Sequence, residues 1–135
     1  MHSYGGLVGS EAAAGLGRAE RSKYGLQGGV IGLMYVCAFI LPLGHHLCTA
    51  LGGELAPFIK AETDGSCNPN NPEHDFYNDL SPSEQTFWAL KLQHHTVIAQ
   101  KTPLTKRAYT EITVSSLYCE NDQALPLWLQ EAMVK

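Results

Sequence analysis

An α/β fold with a partial parallel sheet is predicted by three features of the sequence. Residues 30–41 (VIGLMYVCAFIL) are almost continuously apolar, rich in β-branched and aromatic side chains, and bounded by Gly28-Gly29 and Pro42. Residues 111–119 (EITVSSLYC) form a second such run, closed by Glu120-Asn121-Asp122. Helical signals lie before, between and after the two runs, and alternation of strands with helices is the pattern of a parallel sheet. Two strands alone leave backbone groups unpaired, so the sheet needs further neighbours.

The chain opens with Met1-His2-Ser3-Tyr4-Gly5-Gly6. Ser3 followed by Gly5 is the second half of the G-x-S-x-G nucleophile elbow, with Met1 standing where the first glycine would be. That motif is a sharp strand-to-helix turn that lifts a serine oxygen above a sheet and tolerates only small neighbours. Its helix N-terminus leaves the amide of Tyr4 free to donate to a developing oxyanion. An elbow needs a strand leading in, and the sequence offers none before Ser3. The competing reading is a flexible glycine-rich start.

A helix is expected over residues 4–21, with Gly5, Gly9, Ala12 and Ala13 giving one side small enough to approach a sheet. Each glycine lowers helix propensity by about 1 kcal/mol, so this helix needs tertiary support. Arg18, Arg21 and Lys23 suit its C-terminal end, and Gly25, Gly28 and Gly29 break the chain. The run 30–41 then reads as a strand buried on both faces, with a buried helix as the alternative. It is too short to span a bilayer, which takes about 20 residues.

From residue 43 to 109 the character changes. Gly52-Gly53 and Cys67-Asn68-Pro69-Asn70-Asn71-Pro72 are loop signals. A helix is expected over 80–95, with Ser81 as N-cap, Pro82 at its first position and Glu84 completing a capping box; Trp88, Leu92 and His95 follow at helical spacing. Thr102-Pro103 suggests another short helix, and the whole segment reads as a mobile helical insertion. After the strand at 111–119, Pro126 opens a helix whose apolar stripe is Leu125, Trp128, Leu129, Ala132 and Met133.

Composition narrows the class. The chain has 135 residues, 44% hydrophobic and 16% charged, which describes one globular domain. A net charge of −4 and the absence of a basic face argue against nucleic acid as a partner. Lys101, Lys106 and Arg107 form a basic cluster that reads as a solvated face. Cys37, Cys48, Cys67 and Cys119 make no C-x-x-C pair and match no zinc spacing. Cys37 and Cys119 sit in apolar runs and read as buried free thiols, which suits a reducing, cytoplasmic setting, with disulfides as the alternative. No basic, apolar leader is visible and no membrane partner is expected.

With these pieces in place the chain resembles the α/β-hydrolase superfamily. The likeness is greatest to fungal small hydrolases found with secondary-metabolite biosynthesis, relatives of the plant methylesterase and hydroxynitrile lyase group. It is carried by His2-Ser3-Tyr4-Gly5-Gly6, Tyr35-Val36-Cys37-Ala38-Phe39, Tyr77-Asn78-Asp79-Leu80-Ser81-Pro82, and Tyr118-Cys119-Glu120-Asn121-Asp122 with Pro126. The resemblance implies Ser3 as nucleophile, Asp122 as triad acid, the Tyr4 amide as oxyanion donor, and residues 43–109 as a cap between a sheet-forming part (1–42) and a strand, acid turn and helix (110–135). Ester or related acyl hydrolysis of a small molecule, without cofactor or metal, would follow. It also implies a central portion of such a hydrolase, without the family's N-terminal strands and without the histidine that follows the acid, and hence poor activity for the chain alone. A catalytically inactive relative, truncated or binding-only, and lyase chemistry on the same scaffold are the alternatives.

Six histidines are present: His2, His45, His46, His74, His94 and His95. None follows Asp122. His94 or His95 could face a pocket from the cap, although a surface role is commoner, and adjacent helical residues diverge too far to chelate a metal as a pair. Without the family likeness, Asn121-Asp122 would read as an ordinary turn. Phe76, Phe87 and Trp88 are candidate pocket residues, with core packing as the rival role.

Overall fold

The computed structural model describes residues 1–134. Three parallel strands, β1 (His2–Ser3), β2 (Leu33–Ala38) and β6 (Val114–Leu117), form a sheet in the order β1-β2-β6. A strand therefore does lead into Ser3, contrary to the reading from sequence: two residues suffice because β2 pairs with them. Helix α1 (Gly5–Ala12) follows β1 directly, and α2 (Arg18–Lys23) comes after a break. The single helix expected over 4–21 is divided because Gly15 takes a left-handed φ of 74° and the chain at Gly17 pairs with Val30 as a short bridge.

Strand β2 is shorter than its apolar run. Only one of its faces is consistently covered, since Met34 is half exposed on the other, so the expectation of burial on both faces holds only in part. Its alternation changes phase at Cys37. Leu33 and Tyr35 pack with Ala38, Ala108 and Ile112, whereas Cys37, Phe39 and Leu41 pack with Leu7, Leu47, Leu104, Leu125 and Leu129. The cause is local: Cys37 adopts φ 45°, and the ladder to β1 skips it, pairing His2 with Val36 and Ser3 with Ala38. Such a bulge inserts one residue and reverses which side the following side chains face.

Helix α1 is locked on the sheet by a buried polar pair. Ser10 Oγ donates to the carbonyl of Gly6 at 2.6 Å, and Tyr35 Oη donates to Ser10 Oγ at 2.7 Å. Both residues are essentially inaccessible, so each hydroxyl must find its partner inside the protein.

The segment 43–109 is not purely helical. It holds α3 (Leu47–Ala50), an antiparallel sheet of β3 (Ile59–Ala61), β4 (Ser66–Pro69) and β5 (His95–Thr96), and helices α4 (Pro72–Tyr77), α5 (Pro82–Ala89) and α6 (Val97–Gln100). Ser81 and Glu84 form the expected capping box, but α5 ends at Ala89 and His95 belongs to a strand. The helix suggested at Thr102-Pro103 lies instead just before it, in α6, capped by Thr96 Oγ1, which accepts from the Ala99 amide. Residues 108–110 make a single 3-10 turn, and α7 (Leu127–Ala132) closes the described fold. Of its expected stripe, Leu125 and Leu129 are buried and Met133 packs against them, while Trp128 and Ala132 face outward and Gln130 takes the buried place. No helix among the described residues is long and apolar enough to cross a membrane.

Glu11 ties α1 to the end of the 43–109 segment. Its carboxylate accepts from the amides of Thr105 (2.8 Å) and Lys106 (3.1 Å) and from the Thr105 hydroxyl. The Thr105 hydroxyl first, then these amides and the Lys106 charge, hold its pKa below the usual carboxylate range. A lowered folded-state pKa adds stability that is complete above the unfolded value and is lost as pH falls through the folded one. Glu11→Gln is therefore expected to be less stable than wild type at neutral pH, with the gap closing below about pH 4. Urea denaturation across that range checks it, and a gap independent of pH would contradict the assignment.

Candidate active site

The C-terminal ends of β1, β2 and β6 converge on one cavity of about 740 Å³, roofed by the 43–109 segment. Ser3, Tyr4, Cys37, Phe39 and Asp122 line it from the sheet side, and Phe58, Phe76, Tyr77, His95 and Gln100 from the other. Crevices outside the carboxyl ends of parallel strands are the usual ligand sites of such sheets.

Ser3 sits at the β1–α1 junction with φ 50°. A left-handed backbone at a residue other than glycine costs about 1–3 kcal/mol and persists only where its surroundings impose it. Here they do. The Ser3 carbonyl accepts from the amide of Phe39 at 3.1 Å, and α1 presses against the same strand end through Gly6. The amide of Tyr4, at the N-terminal end of α1, has no acceptor among the described residues. Tyr4 is anchored elsewhere, its hydroxyl donating to the Ala99 carbonyl at 2.9 Å.

Asp122 lies in the loop after β6, facing the same cavity as Ser3. Its Oδ1 accepts from the amides of Ala124 (2.9 Å) and Leu125 (2.7 Å), which fixes the carboxylate plane. Oδ2 accepts from the thiol of Cys37. Burial, and next the adjoining Asp122 carboxylate, push the Cys37 thiol far above its ordinary pKa, so it remains a protonated donor. Cys37 was legible in the sequence only as an apolar-run thiol; the bulge that turns it toward Asp122 has no sequence signal. Cys119, expected to be buried with it, is exposed, and all four cysteines are free thiols.

The aromatic candidates separate. Phe76 lines the cavity and packs edge-on to Phe58 at 5.9 Å. Phe87 and Trp88 stand outside that lining: they pack edge-on to each other at 5.2 Å on the exposed face of α5, with Lys91 Nζ above the Phe87 ring at 4.4 Å. Of the histidines, His2 and His95 line the cavity. His46 caps α3, its Nδ1 accepting from the Thr49 amide. Gln100, which sequence reasoning passed over, is buried beside His95.

Comparison with known proteins accords with this geometry. A family model described as the alpha/beta hydrolase family matches residues 1–135. The chain is 34% identical over 143 aligned residues to the alpha/beta hydrolase nvfD of Aspergillus novofumigatus, covering 99% of this chain and 54% of that protein. It is 29% identical over 126 residues to the probable hydrolase R7 of a Phoma species, covering 92% of this chain and 48% of that one. The chain thus spans about half the length of these curated relatives.

Proposed function

Because the chain belongs to the alpha/beta hydrolase family, we propose that it acts on an ester or related acyl bond of a small molecule through an acyl-serine intermediate at Ser3. Ser3 Oγ attacks the carbonyl carbon while its proton passes to a base; the Tyr4 amide donates to the oxyanion; the alcohol leaves with a proton, and water then releases the acid from Ser3. No cofactor enters this sequence of steps. The observation that carries the reading is the left-handed backbone of Ser3 at a strand-to-helix turn, facing a cavity that also holds Asp122. Asp122, with Oδ1 fixed by two amides, suits the carboxylate that orients a histidine base. The free thiols support a reducing compartment such as the cytoplasm.

One contact favours a second reading. The Cys37 thiol occupies Oδ2 of Asp122, the oxygen left free by the two amides on Oδ1, as befits an inert, binding-only relative. A fluorophosphonate probe separates the two. Covalent labelling of the wild-type chain and its loss in Ser3→Ala supports the hydrolase reading. Equal labelling of both removes Ser3 as nucleophile, and no labelling of either selects the inert relative.

A further inference from the structure

The proposed nucleophile's neighbour, Tyr4, is in ring contact with a residue of the opposite wall. The Tyr4 and His95 rings meet edge-on with centroids 4.7 Å apart. His95 stands in β5, paired to Cys67, at the point where the antiparallel sheet borders the cavity. Its Nδ1 lies 3.1 Å from Nε2 of Gln100. An amide nitrogen can only donate, so Nδ1 accepts and the neutral ring carries its proton on Nε2. Gln100 is buried and its side chain has no other hydrogen-bond partner among the described residues. That buried amide therefore has a single evident task, which is to hold one tautomer and one orientation of His95. Nε2 itself has no partner among the described residues, and it is not among the buried polar atoms left without one.

We propose that His95 is a specificity-determining residue whose Nε2–H donates to a second acceptor oxygen of the substrate, remote from the bond that Ser3 attacks. Beside His95 the wall carries the apolar side chains Phe39, Phe58, Phe76 and Leu125, and polar groups at Asp75, Asn78, Asp79, Gln93, Glu120 and Asn121 line the rest of it. An oriented donor set beside apolar side chains selects for a matching acceptor, because a ligand lacking it leaves the donor unpaired. The substrate class is accordingly an ester with an apolar body that carries a carbonyl or ether oxygen. The inference builds on the hydrolase reading for the identity of the reacting bond, but its test is a binding measurement that does not use the Ser3 hydroxyl.

The probes are ethyl para-acetylbenzoate and ethyl para-ethylbenzoate, which differ by one carbonyl oxygen, titrated by NMR into the Ser3→Ala chain. The acetyl compound is expected to bind about three- to tenfold more tightly, the worth of one net hydrogen bond. Adding His95→Phe keeps a ring against Tyr4 and is expected to bring the two affinities within about twofold. Long-range nitrogen–proton spectra should find His95 protonated on Nε2, and Gln100→Leu should mix the tautomers and reduce the preference. An Nδ1–H tautomer in the wild-type chain, no preference, no binding, or a preference that survives His95→Phe would each overturn the proposal. Should His95→Phe not fold, an undiminished preference in Gln100→Leu despite mixed tautomers overturns it as well. A negative fluorophosphonate result leaves all of these readouts standing.

Discussion

Gly6→Ala is expected to destabilise the protein by about 3 kcal/mol or more, the range of severe overpacking. A methyl group at Gly6 would stand 2.2 Å from the carbonyl oxygen of Phe39 and 3.0 Å from its amide nitrogen. Both are backbone atoms, so no side chain can swing aside. Either α1 lifts off the sheet or the end of β2 moves. The first strains the buried link between Ser10 and Tyr35. The second disturbs the bond from the Phe39 amide to the Ser3 carbonyl, which helps to hold Ser3 in its left-handed conformation. Gly5→Ala is the control, since a methyl group there meets nothing within 4 Å. Urea denaturation of both variants tests the contrast, and a loss under about 1 kcal/mol for Gly6→Ala would show that the junction yields without cost.

The second large effect is expected at Asp122. Asp122→Ala removes the acceptor of the Ala124 and Leu125 amides and of the Cys37 thiol at once. Unsatisfied donors cost about 1–3 kcal/mol each when buried and less where water can replace the partner. These are partly buried, so a combined loss of about 3 kcal/mol is expected. Asp122→Asn keeps an acceptor for the two amides and should lose less. Removing the carboxylate also lifts its repulsion of a Cys37 thiolate, so iodoacetamide should modify Cys37 several-fold faster in folded Asp122→Asn than in wild type. Burial remains, so the thiol stays less reactive than exposed Cys119. Unchanged Cys37 reactivity in folded Asp122→Asn would mean that the carboxylate does not govern this thiol.

Much of the candidate site's local structure was legible because it is encoded by near neighbours. Ser3 with Gly5 and Gly6 reads as a turn because few residue types tolerate one so tight, and Gly6 proves to be the position where backbone meets backbone. The capping box at Ser81 and Glu84 is likewise a contact between near neighbours, and it forms as read. Where the sequence misled, a distant partner intervened. Trp88, Leu92 and His95 keep helical spacing, yet residues 95–96 pair with β4 and leave the helix. Cysteine at 119 looks as apolar as cysteine at 37, but only the latter lies under the α1 and α7 layer.

By itself the chain's order of residues determined a parallel α/β sheet, a tight glycine-bearing turn into a helix at Ser3 and an acidic turn at Asp122, because periodicity and turn chemistry act over a few residues. Tertiary structure alone decided the rest: that β1 is a strand at all, that a bulge turns Cys37 onto Asp122, and that Gln100 orients His95 toward the cavity Ser3 faces. Each of these depends on a hydrogen bond whose donor or acceptor is set by where remote segments meet, which no local pattern of residues records.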